Sequence, residues 1–142
     1  WRAVVAEMLP RLHLLKMSAE DLELLYPGHE PARLAAGWLE GGARIVIVTR
    51  GSEGAAAWTA RGRVEVKPQP CILADTVGAG DSFQAAVLAA LAERGWLAPA
   101  ALDDLSVADW DGVLRFAAHA AAITCSRRGA DLPRRAELEA AT

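Results

Sequence analysis

Four consecutive β-branched residues, Ile45-Val46-Ile47-Val48, constrain the fold more than any other stretch of the 142-residue chain. A strand with one wet face alternates apolar and polar side chains, so an unbroken run marks a strand covered on both faces, in the middle of a parallel sheet. Such a strand needs a layer on each side, and the flanking sequence supplies helices. Val4, Val5, Met8 and Leu12 fall near helical spacing, interrupted by Pro10, and residues 12–17 read as a short buried strand with His13 inside it. Ser18-Ala19-Glu20-Asp21 has the form of a helix start, a capping serine with an acid three residues on, and Pro27-Gly28 ends that helix. Residues 31–40 form a second helix, closed by Gly41-Gly42. After the central run, residues 49–54 make a turn, and residues 55–58 and 64–67 form a short hairpin around Arg61-Gly62, expected as antiparallel edge strands.

The second half is more helical. Phe83, Ala86, Val87, Ala90 and Leu91 keep the spacing of one helix face. Residues 102–107 read as a short helical turn, and Asp109 or Asp111 starts a longer helix with the face Leu114, Ala117, Ala118, Ala121, Ala122, Cys125. Arg127 and Arg128 are expected in its last turn, as dipole partners in solvent, with Gly129 at the stop and a terminal helix over residues 133–140. The five tryptophans, Trp1, Trp38, Trp58, Trp96 and Trp110, have no stacking spacing and read as core or edge packing.

Composition removes several classes of function. Fifteen Lys+Arg against 18 Asp+Glu, a net charge of −3, lack the basic footprint of nucleic-acid binding or of attachment to an acidic membrane surface. The longest apolar run, near residues 116–125, is far short of the roughly 20 residues that span a bilayer. Two cysteines, Cys71 and Cys125, build neither a disulfide framework nor a four-cysteine zinc site, and a reducing cytoplasm is the expected setting. Neither His13 nor His29 has a carboxylate or thiol at metal-binding spacing.

The chemistry concentrates in Asp75-Thr76-Val77-Gly78-Ala79-Gly80-Asp81-Ser82-Phe83, between an apolar approach and a well-patterned helix. Gly78 and Gly80 let backbone N–H groups converge on an anion at the positive end of that helix, a phosphate cradle. Asp81 in the first turn then stands where a carboxylate can take the proton of an attacking hydroxyl. The bland alternative is a glycine-capped helix whose Asp81 only satisfies its own N–H groups. A P-loop needs Gly-Lys followed by Ser or Thr, but Gly80 precedes Asp81. A dinucleotide fingerprint needs a small residue where Phe83 stands and an acid about 20 residues on; both are missing.

The same nine residues resemble the second signature of the ribokinase-like, or PfkB, carbohydrate kinases. Residues 16–21, 48–54 and 116–130 resemble the family in the same order. The resemblance implies a three-layer α/β/α sandwich of which residues 1–142 are the C-terminal, nucleotide-binding part, the N-terminal sugar-binding half and lid being absent. It implies transfer of the ATP γ-phosphate to a sugar hydroxyl, with Asp81 as base and the amides of Gly78, Ala79 and Gly80 as anion hole. Nucleotide contacts carry over to Ser18, Thr49, Gly51 and Gly54. Ala118 falls where relatives often place Asn or His near the adenine; neighbouring His119 reads instead as solvated or locally bonded. Asp21 aligns with an acid near the Mg²⁺ water shell, and with Ser18 it also reads as a capping pair. Asp75, Val77, Thr124, Arg127 and Gly129 fall where the family often holds a monovalent cation such as K⁺.

Lys16, Ser18, Asp21 and residues 24–28 are most similar to bacterial fructokinases, with ribokinase next. A keto-deoxy sugar acid or a nucleoside also remains as substrate, and a non-catalytic nucleotide-binding module remains as a reading from another class. The resemblance further implies Mg²⁺ as cofactor, a possible homodimer of the full-length protein, and little or no activity for this portion alone, which would also expose apolar surface.

Overall fold

The computed structural model describes residues 1–139. Four strands, β1 (Leu14–Ser18), β2 (Ile45–Thr49), β3 (Ala55–Thr59) and β4 (Gly62–Val66), form one sheet in the order β1-β2-β3-β4. Among the described residues seven α-helices accompany them: α1 (Arg2–Met8), α2 (Ala19–Leu25), α3 (Pro31–Glu40), α4 (Ala79–Glu93), α5 (Pro99–Asp104), α6 (Val107–Cys125) and α7 (Arg135–Glu139).

The sheet is mixed rather than parallel. β1 and β2 run parallel through a crossover that contains α2 and α3, whereas β2 pairs antiparallel with β3, and β3 with β4. The reason lies in connection length: residues 50–54 are too few for a crossover, so the chain must turn back. β2 nonetheless sits between two partners, and its run is buried on both faces, with Ile45, Val46, Ile47 and Val48 at 0–1% exposure. Strand alternation sends Ile45 and Ile47 into a core built with α4 and α6, and Val46 and Val48 into a second core with Ala35, Trp38 and Leu22 from α3 and α2. Three layers result. Truncating Ile47 to alanine costs about 2–5 kcal/mol by the usual measure for a filled core position.

On one face α4 and α6 pack tightly through small residues, with Ala86, Ala90, Ala117 and Ala120 buried. A polar link between them is the buried pair Ser82 Oγ and Thr124 Oγ1 at 2.6 Å, and Thr124 Oγ1 also donates to the Ala120 carbonyl at 3.3 Å.

Several boundaries differ from the sequence expectation. β1 begins at Leu14, and His13 lies outside it, its carbonyl accepting from Arg44 and Ile45 N–H. α5 starts at Pro99, whose fixed φ suits a first helical position, and ends before Leu105. α6 begins at Val107 because Ser106 caps it in a capping box with Asp109. Its buried stripe runs Trp110, Val113, Leu114, Ala117, Ala118, Ala120, Thr124, while Ala121, Ala122 and Cys125 are half-buried. α6 ends at Cys125, so Arg127 and Arg128 lie beyond its last turn; Arg127 pairs with Glu137 and Asp131 rather than with solvent. Of the expected terminal helix, Arg135–Glu139 is helical, and residue 140 lies outside the described residues.

Trp38 and Trp110 are core residues, whereas Trp1 is 85% exposed. Ile72, Leu73 and Val77, on the approach to the glycine loop, are also exposed. Among the described residues no helix is long and apolar enough to cross a membrane.

Candidate active site

Register builds the site. Ser18 and Thr49 are the last residues of the two parallel strands and are directly paired, so both strands deliver their carboxyl ends to one edge, where open α/β sheets bind ligands. Beyond Ser18 the chain enters α2 through a capping box. Ser18 Oγ accepts from Asp21 N–H at 3.0 Å, and Asp21 Oδ2 accepts from Ser18 N–H at 3.2 Å and from its hydroxyl at 2.7 Å. The Ser18 hydroxyl, then its N–H, hold the Asp21 carboxyl below the usual carboxylate range, with help from Lys16. Capping and an ionised carboxylate at the sheet edge therefore coexist.

Beyond Thr49 the chain makes a tight turn. Arg50 N–H donates to the Gly54 carbonyl at 2.7 Å and Gly54 N–H to the Gly51 carbonyl at 3.1 Å. Gly54 has φ +88°, and a Cβ there would collide with the Val66 carbonyl, so only glycine lets this turn lie against β4.

The third component is the amino end of α4. Gly78, at φ +80°, caps it, and a Cβ there would meet Ala130 at 2.9 Å. The loop before it is tied to the end of α6. Ala74 and Asp75 N–H donate to the Cys125 carbonyl at 2.8 and 3.2 Å, Asp75 Oδ2 accepts from Gly129 N–H at 2.9 Å, and Oδ1 accepts from Val77 N–H at 3.1 Å. These N–H groups, Gly129 first, keep the Asp75 carboxyl below the ordinary range. Asp75, Val77, Thr124, Arg127 and Gly129 thus share one loop junction. Thr124 itself is fully buried, and its carbonyl accepts from Arg127 N–H at 3.0 Å.

The N–H groups expected to form an anion hole differ in their present partners. Ala79 N–H donates to the Thr76 carbonyl at 3.2 Å, whereas the N–H groups of Gly78, Gly80 and Asp81 form no hydrogen bond among the described residues. Three N–H groups without hydrogen-bond partners among the described residues thus stand at the positive end of a 15-residue helix, with exposed Asp81 in its first turn.

Lys16 also reaches this end of the sheet. It projects from β1 toward this helix end, and a Cβ on Gly80 would lie 3.2 Å from its Nζ. The available signal was a lysine inside an apolar strand. Ala118 stands apart from the cradle, six residues or about 9 Å along α6 from Thr124 and 8% exposed within the core. His119 is half-buried, and its Nε2 is enclosed without a hydrogen-bond partner among the described residues, contrary to the solvated or locally bonded ring expected.

Among the described residues no group of three or more His, Cys, Asp or Glu could hold a metal ion by itself. Magnesium that keeps most of its waters needs only one or two carboxylates beside phosphate oxygens, and Asp21 and Asp81 fit that demand. Two grooves, of about 330 and 570 Å³, lie toward α7 beside Arg135 and Arg127, and neither includes Asp81.

A two-core α/β sandwich with a glycine-capped helix at the carboxyl edge of its parallel strands is the ribokinase-like fold. Over 95% of its length the chain superposes on a fructokinase from Xylella fastidiosa solved with bound ATP, with a TM-score of 0.85 and 25% identity, covering 44% of that chain. It covers 42% of a structure described as a ribokinase II from E. coli in complex with ATP and Mg²⁺, with a TM-score of 0.75, 30% identity and 98% of this chain. Residues 1–137 match the pfkB family carbohydrate kinases, and the chain belongs to that family. A fructokinase of Rhizobium leguminosarum bv. trifolii is 39% identical over 89 residues, 63% of this chain and 27% of the relative. The chain therefore spans well under half the length of these relatives.

Proposed function

We propose that this chain is the nucleotide-binding and catalytic portion of an ATP-dependent sugar kinase, completed in the whole protein by a part that binds the sugar. The observation that carries the reading is Asp81, an exposed carboxylate in the first turn of α4 beside three open N–H donors. In this reading a sugar hydroxyl attacks the γ-phosphorus of ATP and its proton passes to the Asp81 carboxylate. The bond from that phosphorus to the β–γ bridging oxygen breaks, and ADP leaves with the bridging oxygen. The N–H groups of Gly78, Gly80 and Asp81 bind the charge that develops; Ala79 joins them only if it releases Thr76.

Ser18, Thr49, Gly51 and Gly54 line the edge for the nucleotide. Bound Mg²⁺ would neutralise phosphate charge, with Asp21 and Asp81 as the carboxylates nearest to hold its waters. The junction of Asp75, Val77, Thr124, Arg127 and Gly129 offers backbone carbonyls suited to K⁺. The 39% identical fructokinase favours fructose as acceptor. Two free cysteines suit a reducing, cytoplasmic setting.

Calorimetric titration with ADP in Mg²⁺, with and without K⁺ and with NAD⁺ as the competing ligand, tests the nucleotide site. Binding of ADP and not NAD⁺ is expected, strengthened by K⁺. Sugar-dependent ADP formation is expected from the full-length protein and not from this chain alone, because positioning supplies most of the acceleration in phosphoryl transfer. Selective binding of NAD⁺, or full turnover by the chain alone, would overturn the proposal.

A further inference from the structure

The fold brings the two cysteines of the chain, distant in sequence, to the same end of α6. Cys125 is the last residue of that helix. Its carbonyl accepts from the N–H groups of Ala74 and Asp75 at 2.8 and 3.2 Å, which pins the loop that carries Cys71 three residues upstream. Burial, and after it the charges of Cys71 and Asp75, push the Cys125 thiol up, so this thiol senses both side chains of the loop.

The loop is built to close the remaining gap. Three extended residues span at most about 10 Å, and a disulfide holds its two Cα atoms about 4.4–6.8 Å apart, so a bend within residues 72–73 brings Cys71 to Cys125. Nothing opposes that bend. Residues 68–73 form no hydrogen bond among the described residues, Pro68 and Pro70 have no N–H to offer, and Ile72 and Leu73 are 89% and 66% exposed. Access is graded as well: Cys71 is exposed and Cys125 half-buried, so a small oxidant meets Cys71 first.

We propose that Cys71 and Cys125 are a peroxide-oxidisable pair that closes to an intrachain disulfide across the loop and the end of α6. The Cys71 thiolate attacks one peroxide oxygen, the O–O bond breaks, and hydroxide leaves; the sulfur is oxidised to a sulfenic acid and the peroxide is reduced. The Cys125 thiolate then attacks the Cys71 sulfur, the S–S bond forms, and the S–O bond breaks with loss of a second hydroxide, which the two thiol protons convert with the first into water. Two thiols and one peroxide thus give one disulfide and two waters. The cross-link fastens the approach to Asp75 and Gly78 to the end of α6, and a thiol reductant reopens it, as suits a transient disulfide in a reducing compartment. This chemistry is independent of the nucleotide reading.

The test treats the longest natural form of the protein, reduced and then freed of reductant, with hydrogen peroxide while it is folded. Trypsin cuts after Arg63, Arg94, Arg115 and Arg127, so Cys71 falls in the peptide 64–94 and Cys125 in 116–127. The expected product is these two peptides joined, lighter than their sum by two hydrogens, from a chain that stays monomeric on non-reducing electrophoresis, and dithiothreitol separates them. Cys125→Ser is expected to lose the cross-link and to hold Cys71 as a sulfenic acid that dimedone captures, whereas Cys71→Ser leaves Cys125 a thiol under the same treatment. Wild type in which Cys71 passes to the sulfinic acid while Cys125 stays reduced would overturn the pairing. So would cross-links found only between chains or to another thiol, both cysteines remaining reduced, or oxidation of Cys125 in Cys71→Ser at the wild-type rate.

Discussion

Asp81 and Asp75 are two carboxylates of one loop-helix unit with different surroundings. Asp81 is exposed and free of ion pairs among the described residues, whereas both oxygens of Asp75 accept backbone N–H groups. If Asp81 is the proton acceptor proposed above, replacing it with asparagine in the full-length protein removes that acceptor and keeps the shape. The expected outcome is a fall in kcat of about 10²- to 10⁴-fold with ADP affinity within about threefold, read by coupled ADP assay and calorimetry. Asp75 instead makes stability depend on pH. Its pKa is lower folded than unfolded, so the unfolded chain binds the proton first on acidification. Its contribution is therefore complete above the ordinary carboxylate range and is lost as pH falls through the lowered folded value. Melting curves of wild type and Asp75→Ala should accordingly differ at pH 7 and converge toward pH 3; a difference that grows on acidification would contradict the tie to Gly129.

At the scale of elements, what the sequence revealed was local. The Ile45-Val46-Ile47-Val48 run announced a doubly covered strand, and Gly78 and Gly80 announced the amino end of α4, because burial and positive φ leave marks in adjacent residues. The start of α6 was missed although Ser106 and Asp109 carry the capping-box spacing, since Val107 and Ala108 add no apolar period to point at it. Contacts across distant segments leave no such mark: Lys16 against Gly80, Arg127 closing on Glu137, and the enclosed His119 ring all depend on how the layers meet.

The link between α4 and α6 belongs to this class and has a direction. Thr124 gives its proton to the Ala120 carbonyl, so Ser82 must donate to Thr124. Thr124→Val leaves a buried donor on Ser82 with no acceptor, at about 1–3 kcal/mol, whereas Ser82→Ala removes that donor and leaves Thr124 bonded to the helix, at about 1 kcal/mol. Urea unfolding of the two variants should rank them in that order; the reverse ranking would mean the proton runs the other way.

For the whole molecule, the open side matters as much as the cores. Asp81 is exposed, and Trp1, Leu24, Ile72 and Leu73 are 66–89% exposed in a chain that covers 27–44% of its relatives. β1 is hydrogen-bonded to β2 on one side only, among the described residues. A strand with one unpaired row of N–H and C=O groups is a template for another strand, and exposed apolar side chains elsewhere on the chain add to its tendency to associate. When this chain is studied alone, association through that edge draws on the folded form and not on the unfolded one, so stability becomes a matter of mass action. Its melting midpoint should rise over a hundredfold range of protein concentration, with sedimentation showing larger species at the upper end. A number quoted for the stability of this chain is therefore incomplete without the concentration at which it was measured.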